Sequence, residues 1–343
     1  MMNYNHTIII AEAGVNHNGD MELAKKLIQV AAEAGVDYVK FQTFKTEKLV
    51  SKDAKQADYQ QHNLKSTKGS SQFDMLKKLE LDEDKHHFLI EECKKNKVKF
   101  LSTAFDLESI KMLCELNIDF FKIPSGEVTN KPYLEAIAKT GLPVILSTGM
   151  CNMDEISASV EVLIDNGVSK DDLTILHCNT QYPTPLSDVN LLAMNAIRDE
   201  LKVNVGYSDH TLGIEVPIAA VALGATVIEK HFTLDNNLPG PDHKASLEPH
   251  ELMAMVNAIR KVEKFLGKPI KIPSSSEKPN ISAARKSIHL AKTLSKGEII
   301  TYDHLIMVRP GDGISPMKYN TLVGKHAKDT FPIGHKLSGN DFE

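Results

Sequence analysis

The stretch that decides the fold is TIIIAEAGVNHNGDMELAKKLIQVAAEAGVDYVKFQT, residues 7–43. Thr7 to Ala11 is apolar and β-branched, the composition of a strand buried on both faces. Asn16, Asn18 and Gly19 supply a turn. Leu23, Leu27, Val30, Ala31 and Ala34 then recur at helical spacing, and Gly35 ends the helix. Asp37 to Thr43 is a second strand of the same kind. Strand, helix, strand in this order is a parallel βαβ unit.

The unit repeats. Further strands are expected at Lys99–Ser102, Phe120–Ile123, Pro143–Ser147, Leu173–Cys178, Val203–Tyr207 and Thr226–His231. Helical stripes lie between them: Leu134 and Ile137 before Gly141, and Ile156, Val160 and Leu163 before Gly167. About eight parallel strands in roughly 260 residues predict an α/β fold, a closed (β/α)8 TIM barrel. An open doubly wound sheet would want a glycine-rich turn after strand one, and GVNHNG at 14–19 does not fit GxGxxG.

The barrel pattern fills 1–266. Residues 267–283, with Pro273, Ser274, Ser275, Ser276 and Pro279, read as a linker. From 284 to 343 the texture changes to short apolar pieces and turns, ending in displays such as Arg309-Pro-Gly-Asp-Gly313. This predicts a small appended domain. The polar gap at 47–79, between strands two and three, reads as a lid or active-site loop.

The net charge of −5 and the lack of Trp argue against nucleic acid or an anionic membrane as partner. No apolar run reaches the ~20 residues of a membrane helix. Cys93, Cys114, Cys151 and Cys178 form no CxxC pair and no zinc spacing, so reduced thiols and a cytoplasmic location are expected.

Strand after strand is apolar and then ends in a polar group. Charge at the end of an apolar strand is costly unless paired or used. Residues i and i+2 share a face of a strand, which predicts a barrel mouth ringed by Glu12, Lys40, Gln42, Lys122, His177, Glu229 and His231. Active sites of this fold sit at that mouth. His210 and His231 are metal candidates, since neutral imidazole suits divalent transition metals. Lys40 and Lys122, with Thr103, Ser125, Ser147 and Ser208, suit an anion. Salt-bridged lysines across the barrel, or a Schiff-base lysine at Lys122, are alternatives. Glu12 and Glu127 are possible acid/base groups. Tyr182, Asp242 and Arg309 are displayed on loops shaped by Pro and Gly.

A set of ordered motifs then carries a resemblance: IAEAGVNHNG at 10–19, VKFQT at 39–43, KIPSGE at 122–127, LSTGM at 146–150, YPTP at 182–185, GYSDHTL at 206–212, EKHFT at 229–233 and GPD at 240–242. The chain resembles the N-acetylneuraminate (sialic acid) synthase family nearly end to end, and its last part is similar to the antifreeze-like (SAF) domain of those enzymes. The resemblance implies condensation of phosphoenolpyruvate with an open-chain N-acetylated mannosamine-type sugar, giving a nine-carbon 2-keto acid and phosphate. It implies a divalent ion, manganese with magnesium or cobalt as alternatives, on His210 and His231. By position, Lys40, Thr103, Lys122, Ser125, Ser147 and Ser208 would contact phosphoenolpyruvate. Glu12, Gln42, Tyr182 and Asp242 would contact the sugar or the reacting centre, and Glu127 would handle the attacking water. Arg309 would reach over a partner's barrel to the N-acetyl group in a swapped homodimer. Thr180-Gln181 before YPTP, Arg285-Lys286 and the loop around 57–71 depart from the sialic acid pattern. With FQTFK at 41–45 and ARKSI at 284–288, they look closer to the branch that makes legionaminic acid from 2,4-diacetamido-2,4,6-trideoxymannose.

Overall fold

The computed structural model describes residues 6–57, 60, 61, 63 and 71–343. All element counts below refer to these described residues. They form two compact units, Met1–Gly267 and Lys268–Glu343.

In the first unit eight strands alternate with eight principal helices. The strands are β1 Ile8–Gly14, β2 Tyr38–Thr43, β3 Lys99–Ala104, β4 Phe121–Ile123, β5 Val144–Ser147, β6 Leu173–Cys178, β7 Asn204–Asp209 and β8 Val227–His231. The helices are α1 Met21–Ala34, α2 Glu83–Asn96, α3 Leu107–Glu115, α4 Lys131–Ala138, α5 Met153–Asp165, α6 Leu192–Leu201, α7 Glu215–Ala222 and α8 Pro249–Leu266. The strand order is β3-β2-β1-β8-β7-β6-β5-β4, every ladder parallel. β4 comes beside β3 without a ladder between them, so the TIM-type barrel is closed with one unpaired seam.

Local chemistry explains the helix ends. Asp20 caps α1 by accepting from the Glu22 and Leu23 amides, and Gly35 ends it in a left-handed conformation at φ 79°. Asn152 and Glu155 form a reciprocal capping box on α5. The outer core lies between the strands and helices and includes Ile9, Val39, Phe41, Phe121, Leu146, Ile175 and Tyr207. A second apolar cluster fills the barrel itself: Ile8, Ile10, Tyr38, Leu101, Phe120, Ile145, Leu176 and Val227. These two sets alternate along each strand, as a period of two requires.

Gly206 of β7 shows how tight this interior is. A Cβ there would lie 2.6 Å from Cδ2 of Leu176 and closer still to the Val227 carbonyl oxygen, across two neighbouring strands. Gly206→Ala is therefore expected to lower stability by about 3 kcal/mol, the upper end for overpacking, as read by urea unfolding.

The expected loop at 47–79 lies partly outside the described residues. Its described parts hold two short helices, Thr46–Leu49 and Gln72–Lys77. They are less polar than composition suggested, because Leu76 and Leu79 pack with Val15 and Phe44. No described helix is long and apolar enough to cross a membrane.

The second unit starts at Lys268, and its first regular element is a short helix, Asn280–Ala284. Strands β9 Ser287–Leu290 and β10 Leu305–Val308 pair antiparallel. Isolated bridges join His289 to Lys336, Leu294 to Phe331 and Ile299 to His326 around a core of Ile288, Leu290, Leu294, Ile300, Leu322 and Leu337.

Candidate active site

The apolar plug dictates what stands above it. One inward position further along each strand come Glu12, Lys40, Thr103, Lys122, Ser147, Cys178, Ser208 and Glu229. Gln42 and His231 lie one layer higher, and His210 directly follows β7. All of these line one cavity of about 620 Å³ at the C-terminal mouth, together with Ser125, Tyr182 and Asp242.

Its floor is an ionic network. Nζ of Lys40 lies 2.6 Å from Oε2 of Glu12 and 3.6 Å from Oε2 of Glu229, and donates to Oγ1 of Thr103 at 3.1 Å. Nζ of Lys122 lies 3.1 Å from Oε1 of Glu229, which also accepts from Oγ of Ser208 at 3.1 Å. Burial pushes the Glu229 carboxyl up, but Lys122 and Lys40 outweigh it and hold it at about 2. Glu12 moves the other way. Burial raises it to about 7 despite Lys40, with the Glu229 charge adding to the rise. Two carboxyls in one pocket are thus separated by their surroundings, one firmly ionised and one able to carry a proton near neutrality. Two ammonium groups face a single firmly ionised carboxylate, so the floor favours an anion. Oγ of Ser147 is buried with no hydrogen-bond partner among the described residues, and Oγ of Ser125 accepts from the Gly149 amide at 2.8 Å.

The imidazoles stand above this floor with ring centroids 5.3 Å apart. Tyr182 stacks on His210 at 3.9 Å and meets His231 edge-on at 5.5 Å. Nδ1 of His210 donates to the Asn179 carbonyl at 2.5 Å, which leaves the Nε2 lone pair free to accept or ligate. Nδ1 of His231 is buried with no hydrogen-bond partner among the described residues. Burial lowers both rings, His210 to about 4, so both are neutral at pH 7.

Asp242 hangs over the mouth from the loop after β8. That loop is tied to the loop after β1: Nδ2 of Asn16 donates to the Phe232 carbonyl at 2.8 Å and to Oγ of Ser246 at 3.0 Å. Burial lifts the Asp242 carboxyl from 3.8 to about 7. Between those values the folded chain keeps a proton that the unfolded chain has released, so stability falls as pH rises through that window and is level above it. Asp242→Asn is expected to remove about 2 kcal/mol of the loss between pH 5 and pH 8, measured by urea unfolding.

Residues 27–271 match the NeuB family. The chain belongs to the NeuB family. Residues 285–343 match the SAF domain. Over 326 residues, 95% of this chain and 97% of the relative, the chain is 53% identical to the N,N'-diacetyllegionaminic acid synthase of Campylobacter jejuni. It is 48% identical over 332 residues to the N,N'-diacetyllegionaminic acid synthase of Legionella pneumophila, covering 96% of this chain and 92% of that protein. Among solved structures, the N-acetylneuraminic acid synthetase of Leptospira borgpetersenii in complex with citrate has a TM-score of 0.71 and 35% identity. That match covers 81% of this chain and 91% of that one. This NeuB-family chain is therefore an enzyme of the N-acetylneuraminate and N,N'-diacetyllegionaminate synthase type, and its chemistry belongs to nonulosonic acid synthesis.

Two expected residues, His177 and Glu127, stand elsewhere. His177 is not in the ring of this NeuB barrel: Leu176 occupies the inward position, so His177 points outward, with its Nε2 3.0 Å from the Val189 carbonyl, and Cys178 takes the mouth position. Glu127 does not line the cavity. It ends the 3-10 turn Ser125–Glu127, and its Oε2 accepts from Nδ2 of Asn130 at 2.6 Å. Arg309 lies in the second unit, just past β10, and its Nε donates to the Ala284 carbonyl at 3.0 Å. The residue whose weight was missed is Glu229, the shared partner of both floor lysines.

Proposed function

We propose that this chain condenses phosphoenolpyruvate with 2,4-diacetamido-2,4,6-trideoxymannose or N-acetylmannosamine, in open-chain form, to a nine-carbon 2-keto sugar acid and phosphate. The observation that carries this reading is the pairing, in one cavity, of a two-lysine anion floor with two neutral imidazoles. Lys40 and Lys122 neutralise the phosphate and carboxylate, and Thr103, Ser125, Ser147 and Ser208 orient them. The methylene carbon of phosphoenolpyruvate forms a bond to the aldehyde carbon, and the aldehyde oxygen takes a proton. Glu12, able to hold a proton near pH 7, supplies it. Water then adds to the cationic C2 and gives up a proton, and the C–O bond to phosphate breaks.

The donor set fits a divalent cation, with manganese the proposed ion and magnesium or cobalt as substitutes. His210 presents Nε2 with its tautomer fixed by Asn179, and His231 has an unpartnered buried nitrogen. Among the described residues no group of three or more His, Cys, Asp and Glu side chains is poised for a metal, so water and substrate oxygens would complete the shell. Such a cation supplies Lewis acidity at the aldehyde oxygen.

The wall above β1–β3 favours the trideoxy acceptor. Val15, Leu49, Val50, Met75, Leu76 and Leu79 line it. A C6 methyl group can rest there, whereas a hydroxymethyl group gains less against that apolar surface. An apolar wall rejects an added hydroxyl by about 100-fold at most. The test is phosphate release with each sugar, using phosphoenolpyruvate labelled with oxygen-18 at the bridging position. Labelled phosphate is expected, faster with the trideoxy sugar. No release with either sugar, or unlabelled phosphate, would overturn the reaction.

A further inference from the structure

The β7–β8 ladder ends at the pair Asp209–Lys230. His210 and His231 each lie one residue beyond it, so the last ladder pair joins their neighbours and not the two histidines themselves. Other main-chain bonds hold each histidine to a different loop: the Thr184 amide donates to the His210 carbonyl, and the Leu247 amide to the His231 carbonyl, both at 2.9 Å. Neither bond ties one histidine to the other.

The Asp209 and Lys230 side chains add a direct tie between the two strand ends. Both side chains are 0% exposed, and both are absent from the cavity lining, on the opposite face of their strands. Nζ of Lys230 lies 2.5 Å from Oδ2 of Asp209 and donates to the Thr211 carbonyl at 2.5 Å. The Asp209 carboxylate in turn accepts from the Thr211 amide at 3.0 Å and from its hydroxyl at 3.1 Å. The ammonium on the residue before His231 therefore grips the residues on both sides of His210. A fully buried ion pair is weak support for a stabilising role, because a well-packed apolar pair of similar volume is often as stable. Its directional bonds to both strand ends are what an apolar pair lacks.

We propose that Asp209 and Lys230 form a positioning clamp that sets the separation of His210 and His231 for one shared divalent cation. The proposal rests on the cation reading above. The clamp touches neither substrate nor cation. It acts through the backbone, and displacement of a ligand pair by a fraction of an ångström is enough to matter.

The test titrates Mn2+ into the full-length, substrate-free protein, with free ion followed by electron paramagnetic resonance and stability by urea unfolding. Lys230→Met and Asp209→Asn, which each leave one buried charge alone, are expected to lose both stability and Mn2+ affinity. The double variant Asp209→Asn/Lys230→Met removes both charges. It is expected to recover most of the stability while binding Mn2+ about 10- to 100-fold more weakly than the parent. Asp209→Glu is a second probe, since it keeps both charges but lengthens one arm by a methylene. It is expected to fold and to weaken Mn2+ by at least about 10-fold. Parental Mn2+ affinity in either the double variant or Asp209→Glu would overturn the clamp and leave the cation reading intact. Absence of Mn2+ binding by the parent would overturn both.

Discussion

Lys122→Met is expected to lower kcat/KM for phosphoenolpyruvate by about 1,000-fold, equivalent to about 4 kcal/mol of transition-state stabilisation. Lys122 is one of two ammonium groups on the cavity floor, and it lies against Glu229 at 3.1 Å. Its removal takes away a positive charge where the phosphate leaves and strands Glu229 with Lys40 alone, 3.6 Å away. The variant then has no net positive charge on its floor to face an anionic donor. The main loss falls on phosphoenolpyruvate, with a smaller effect on the KM of the sugar. Urea unfolding separates this from misfolding, since an uncompensated buried carboxylate also destabilises. The same lysine tests the aldolase alternative. Engaged with Glu229 at 3.1 Å, it is expected to give no adduct when borohydride is added with both substrates. An adduct at Lys122 would replace the condensation with imine chemistry.

Removal of divalent metal is expected to lower turnover by at least about 100-fold, with recovery on adding manganese. His210→Ala and His231→Ala are expected to match the chelated parent and to resist rescue. The imidazoles are neutral and 5.3 Å apart, and His231 has a buried nitrogen with no hydrogen-bond partner among the described residues. An unsatisfied nitrogen of that kind is expensive to keep unless something binds it. Full turnover in chelator would leave the two histidines as hydrogen-bonding groups for the sugar and would remove the cation from the proposal.

The barrel was legible in the sequence because its two periods are strong: apolar strands, then helical stripes closed by glycine. Alternation within strands also placed Glu12, Lys40, Lys122, Glu229 and His231 correctly. It failed at β6 by a single position. LTILHC is apolar on both faces, so nothing in the string says that Leu176 rather than His177 faces inward, and a shift of one residue exchanges the faces. Glu127 follows its strand in sequence, but a 3-10 turn carries it round to Asn130. The ionisation of Asp242 was not legible, since its burial depends on bonds between loops more than 200 residues apart, such as Asn16 to Phe232. Nor was the standing of Lys230. In the string it is one more lysine between two site residues, and only the fold shows it reaching across to Asp209 and Thr211.

The unpaired seam between β3 and β4 has a mechanical meaning. A hoop stitched everywhere but one place yields there. Thr103 and Lys122 flank that opening, so the anion end of the pocket can widen without breaking any ladder bond. The imidazoles sit on the far arc of the hoop, braced by continuous stitching on either side. Compliance is thus assigned to the arc that must admit and release a charged donor, and stiffness to the arc where two nitrogens must keep their spacing.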